Sequence, residues 1–204
     1  LKEVLSFSIW IAVLVLTQRC IYSITPSVLG AISGSSDVTL FSLASTLEGY
    51  AYSFGSVIAT LFLAKITRQL IAKDIHGFTK LTINIGKLQF ILISSILVGF
   101  LCGGRNFVEL WMGKGYESIY YMTLLLLIPS VLLWPFMTVS TGLTVKSVVK
   151  EQALVNLGAA MINIFLELLL VEKYGAIGAA ISISLANTFK AIALILVYKH
   201  FLPI

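Results

Sequence analysis

The sequence predicts an all-α fold, a polytopic bundle of six transmembrane helices, on three observations. Hydrophobic residues fill 58% of the 204 positions, against roughly 45–50% in a soluble domain. Only 11% are charged, where about 25% is ordinary. Apolar runs of the ~20 residues needed to cross a hydrocarbon core recur along nearly the whole chain. The net charge of +5 sits mostly at the ends of these runs, where it sets topology; no nucleic-acid partner is expected. A chain that opens on Leu1 with no signal peptide ahead of its first span reads as a piece of a longer protein.

The first span is expected from Val4 to Ile32 and ends in a turn signal, SGSSD, at Ser33 to Asp37. A second runs from Thr39 to Ala64. After it, KITRQLIAKDIHGFTK (Lys65 to Lys80) is too charged to cross, so it extends the second helix into water. The third span, Leu81 to Leu101, meets a turn signal GGRNF at Gly103 to Phe107. The fourth, Tyr116 to Val145, contains Pro129 and Pro135. Each proline removes a backbone donor and crowds the carbonyl four residues back, which predicts a static bend that shapes packing, with a moving hinge as the alternative. The fifth span, Val149 to Val171, and the sixth, Ala176 to Tyr198, are joined by EKYG at Glu172 to Gly175. The sixth begins with Gly178, Ser182 and Ala186 at four-residue intervals, a spacing that lets helix backbones approach closely.

With both termini in the cytoplasm, Lys2, Lys65, Arg68, Lys73, Lys80, Lys87, Lys146, Lys150 and Lys199 fall on the inner side. Arg105, Lys114 and Lys173 fall outside. That asymmetry satisfies the positive-inside bias and predicts a multi-pass protein of the cytoplasmic membrane.

Polar groups within the spans are the functional candidates. Arg19 lies midway along the first span, where a charge costs at least about 2.5–3.5 kcal/mol and needs a polar surrounding. Ser8, Ala12, Val15, Ser23, Pro26 and Gly30 share its face within about 40°. Glu48 shares a stripe with Ser45, Tyr52, Gly55 and Ala59 at a similar depth, so the two charges are expected to meet. Two readings stay open: a buried Arg19–Glu48 pair that ties two helices together, or Arg19 facing a wet cavity and neutralising an anionic substrate, with Glu48 orienting it or exchanging partners during transport. Asn156, Asn163 and Glu167 form a second stripe, either an interhelical hydrogen-bond seam or a wall that binds sugar hydroxyls. Lys190, one turn from Asn187, is expected to snorkel towards the cytoplasm. Cys20 and Cys102 read as packing residues. His76 and His200 lie away from the bilayer centre, and no HExxH, GxSxG or ligand cluster is present. No enzyme, cofactor or metal is therefore expected.

Three stretches carry a resemblance. SLASTLEGYAYSFGSVIATLFLAKITRQLIAKD resembles the second helix of the C-terminal half of polysaccharide flippases in the multidrug/oligosaccharidyl-lipid/polysaccharide exporter superfamily. FVELWMGKGYE is similar to that family's short outer segment, and INIFLELLLVEKYGAIGAAISISLA to its Asn-containing helix followed by a G-x-x-G-A-A opening. The resemblance spans essentially residues 1–204 and implies one six-helix bundle of a transporter with twelve or more spans. The missing N-terminal bundle, or a second copy of the chain, would form the opposite wall of a central cavity. The implied activity is alternating-access translocation of a polyprenyl-pyrophosphate-linked oligosaccharide, with Arg19 on the pyrophosphate or an acidic sugar and Asn156, Asn163 and Glu167 along the sugar path. Membrane lipids would be its other partners. Two alternatives remain: an organic-cation exporter of the same superfamily using Glu48 or Glu167, and a membrane scaffold that recruits glycan-synthesis enzymes through its basic cytoplasmic loop.

Overall fold

The computed structural model describes residues 2–145 and 148–201, all but the turns in helices and with no strand among them. Helix α1 spans Lys2–Ile32, α2 Ser35–Ile71 and α3 Ile75–Met112. Helix α4 (Glu117–Leu133) passes through a 3-10 turn, Trp134–Phe136, into α5 (Met137–Val145), and α6 covers Val149–Phe201. Five of these helical stretches are long and apolar enough to cross a membrane, counting α4 and α5 as one. Their exteriors are apolar as well, with Leu16, Leu61, Ile91 and Leu196 all more than 60% exposed. Water selects against such a surface and hydrocarbon favours it, so the chain is a multi-pass membrane protein.

The sequence expects six separate spans, whereas the last two are joined in one 53-residue stretch, α6. Gly175 interrupts it with φ 53° and ψ −134°, a conformation that a side chain would oppose. The two arms then lie against each other. A Cβ on Gly178 would overlap the carbonyl oxygen of Leu170 and come within 3.1 Å of the Val171 nitrogen. Near the other end, the same atom on Gly158 would touch the Phe189 ring at 3.9 Å. Those two residues would be about 46 Å apart along a straight helix at ~1.5 Å per residue. The stretch is therefore a helical hairpin with its apex at Gly175.

Asp37 fixes that apex. Its carboxylate accepts from the Ala176 N–H at 3.0 Å and from the Ser33 hydroxyl, which ties the α1–α2 turn to the hairpin tip. At the opposite end Gly142 of α5 sits against Phe78 and Leu70, and Lys150 lies 5.8 Å over the Trp10 ring. Successive turns thus alternate between two ends of the bundle.

Several expected turns move. Only Ser33 and Gly34 leave the helix in SGSSD. Gly103 to Phe107 are helical, because a glycine pair weakens a helix without supplying a reversal, and α3 continues to Met112. The reversal comes at Gly113 and Gly115, with φ 88° and 102°. The basic segment 65–80 is split: α2 ends at Ile71, and Asp74 caps α3 by accepting from the Gly77 N–H at 2.9 Å. Pro129 is accommodated within α4, and the break falls at Pro135.

Helix α1 packs chiefly on α6 and less closely on α2, while α4 fills the space between α2, α3 and α6. Phe41, Met122 and Ile183 centre one core cluster, and Ile66, Phe78 and Leu143 another. Trp134 joins Ile93 and Leu127 in a third. Its ring lies against α2 at Gly55, where an added Cβ would come within 2.7 Å. The small residues Gly178, Ser182 and Ala186 are all buried, as close backbone approach requires.

Candidate functional site

Arg19 and Glu48 do not meet. Among the described residues the ion pair is Arg105–Glu117, at 3.0 Å on the surface, and Arg19 has no carboxylate partner. The reason is rotational: α1 turns its Thr25 side towards α6, which leaves the Arg19 side on the outside of the bundle. Ser8, Ala12, Val15, Ser23 and Gly30 on that face are exposed with it, and Pro26 is half-buried. Glu48 points inward and is only 7% exposed. It lies close enough to Tyr22 of α1 and Tyr52 of α2 to act on both electrostatically. The Tyr22 hydroxyl accepts a hydrogen bond from the Asn187 amide at 3.3 Å, which brings the second arm of α6 to the same place. Tyr22, Tyr52 and Glu48 thus form a polar corner between α1 and α2, one helical turn from Arg19.

The stripe on α6 is sealed inside. Asn163 and Glu167 are fully buried and Asn156 nearly so. One oxygen of Glu167 accepts from the Thr25 hydroxyl, across the α1–α6 interface, and from the Asn163 amide at 3.0 Å. Asn156 donates to the Gln152 carbonyl at 2.8 Å. The second Glu167 oxygen and the Asn156 and Asn163 amide oxygens have no hydrogen-bond partner among the described residues. Across this stripe the Thr25–Glu167 hydrogen bond joins α6 to α1, while the Asn156 and Asn163 bonds stay within α6. Such bonds contribute roughly 0.6–1.7 kcal/mol in membrane proteins. Thr25→Val is accordingly expected to lower unfolding stability by about that amount, and by much less in a Glu167→Leu background. A double-mutant cycle in detergent unfolding measures the coupling; additive losses would disprove the seam.

The sequence reading passed over a third polar surface. Along α2, Thr39, Ser42, Thr46, Gly49, Ser53, Ser56 and Thr60 recur at three- and four-residue steps on one exposed or half-exposed face, with Thr67 two turns further on. Hydroxyls along it are tied back to their own helix, as in Ser53 to the Gly49 carbonyl and Thr60 to the Ser56 carbonyl, both at 2.8 Å. That spacing was present in the sequence, but it merged there with the polar residues of the other α2 faces.

Lys190 is half-buried rather than free at the surface. Cys102 is exposed on α3, against the expectation of packing, while the side chains of Cys20 and His200 lie outside the described residues, as does Lys146. Among the described residues no group of three or more His, Cys, Asp or Glu could hold a metal ion. Two clefts of about 270 and 480 Å³ lie elsewhere, one beside Arg105 and Glu117 and one between α3 and α4. Comparison with protein-family models, with curated proteins and with solved structures found no match to this chain.

Proposed function

We propose that the chain crosses the membrane six times with both termini in the cytoplasm and forms one half of a two-bundle transporter. Its cargo in this reading is a polyprenyl-pyrophosphate-linked oligosaccharide, moved by alternating access. The carrying observation is Arg19, exposed and without an ion pair among the described residues, in the middle of a membrane-length apolar helix. A guanidinium at that depth is costly against lipid tails and is tolerated where it meets water, a partner protein or an anionic group. Its planar fork of donors suits phosphate oxygens.

Two further features support the reading. Each arm of α6, residues 149–174 and 176–201, measures about 39 Å at ~1.5 Å per residue, enough for a crossing of the ~30 Å core. Helices α1 and α2 are the least buried of the membrane-length helices, as the wall facing a second bundle would be. In this arrangement the sugar passes along the Tyr22–Tyr52 corner and the hydroxyl stripe of α2. Asn156, Asn163 and Glu167 act behind that wall as its support.

Thiol accessibility tests the cavity. With Cys20 and Cys102 replaced by serine, Arg19→Cys should react with a membrane-impermeant thiol reagent, while Phe165→Cys, at similar depth on the outer side of α6 and expected to face lipid, should react at least tenfold more slowly. A thiol needs water around it to ionise and react. Equal inertness at both positions would remove the cavity from the proposal.

A further inference from the structure

A groove of about 480 Å³ runs along the outside of the bundle between α3 and the end of α4. Its floor exists because two unusual residues meet. Pro135 breaks α4 into a 3-10 turn, and Gly86, lacking a side chain, lets the Pro135 carbonyl come so near that a Cβ there would lie 3.1 Å from it. Phe90 and Ile91 of α3 form one wall, Leu132 and Phe136 the other. Phe90, Ile91 and Leu132 are 49%, 62% and 44% exposed, so the groove opens sideways to the surroundings of the helices and not into the bundle.

Lys87 also lines this apolar slot. It is exposed and makes no hydrogen bond or ion pair among the described residues. Lys80 lies two turns earlier on the same side of α3, about 20° away in helical projection, and Asn84 about 60° away; both are exposed. Beyond Lys87 the helix turns apolar, LQFILISSILVGFL from Leu88 to Leu101. One face of α3 therefore reads, along its axis, as two ammonium groups and an amide followed by an open apolar channel. A phospholipid has the same order, with a phosphate of opposite charge.

We propose that this groove is a binding site for an anionic phospholipid, its acyl chain between Phe90 and Leu132 and its phosphate on Lys87. The site needs only a bilayer and does not depend on what the protein transports. An anionic lipid gains on the order of a kilocalorie-scale attraction at each lysine near the surface, which a zwitterionic lipid with the same tails does not. The chain contact alone would bind both equally.

Native mass spectrometry of the protein, released from vesicles of equal parts phosphatidylglycerol and phosphatidylcholine, measures the preference. Wild-type protein should retain phosphatidylglycerol about fivefold over phosphatidylcholine, the scale expected for one lysine beside an anionic headgroup. Lys87→Gln should abolish the preference, Lys87→Arg should keep it, and Lys150→Gln at another helix end should leave it unchanged. No preference in the wild type, or one that survives Lys87→Gln, overturns the site. So does displacement of the bound phospholipid by equimolar polyprenyl phosphate, which would assign the groove to a polyprenyl chain.

Discussion

Under the proposed transport function, replacing Arg19 with alanine is expected to cut translocation of lipid-linked glycan by about ten- to a hundredfold, with membrane abundance unchanged. The magnitude follows from the ~1.5–3 kcal/mol that a hydrogen bond to a charged group contributes, at about 1.4 kcal/mol per factor of ten. Abundance should hold because Arg19 makes no ion pair among the described residues and its side chain is exposed. Lysine at the same position keeps the charge and loses the paired donors, and should recover part of the rate. Glycan export in cells carrying each variant at matched protein level is the measurement. Export at the wild-type rate in Arg19→Ala would end the transport assignment of this residue. Loss of protein in place of loss of transport would make Arg19 a structural group.

Gly178→Ala should produce a large loss of stability for the addition of a single methyl group. The new methyl would overlap the Leu170 carbonyl oxygen and press on the Val171 nitrogen, which are backbone atoms of the facing arm and have no rotamer in which to escape. Overpacking costs typically 1–3 kcal/mol when side chains can yield, and here only the helices can move. The hairpin would have to open at the point where Asp37 ties it to the α1–α2 turn. Gly99→Ala and Gly103→Ala are the controls, because no atom lies within 4 Å of a Cβ at either site. In α3 both should be neutral or slightly stabilising, since alanine is the better helix former. Unfolding in mixed detergent separates the outcomes, and equal stability of Gly178→Ala and Gly99→Ala would refute the close packing of the two arms.

These two residues mark what the chain reveals unaided. Arg19 was conspicuous in the sequence because a charge in an apolar run of membrane length is costly wherever it points. Gly178 was visible through its four-residue repeat with Ser182 and Ala186. The direction in which each faces was not available. The Arg19 face holds small and polar residues, a composition equally suited to a helix interface and to a cavity wall, and the expected contact with Glu48 fails because Thr25 occupies the α6 side of α1. Asn156, Asn163 and Glu167 were correctly grouped by periodicity, yet the same grouping describes a seam and a sugar path. Their burial supports the first.

Composition and hydropathy by themselves determined an all-helical membrane bundle, the approximate extent of its apolar runs and the intramembrane charges, because the cost of exposing backbone or charge to hydrocarbon acts residue by residue. The tertiary structure alone decided that the long final stretch folds back at Gly175, that α3 runs through Gly103 and Gly104, and that Glu48 and Glu167 turn inward while Arg19 and the α2 hydroxyls turn outward. Those outcomes depend on which helix faces find partners, a property of pairs of helices brought together from distant parts of the chain, and no single helical period encodes it.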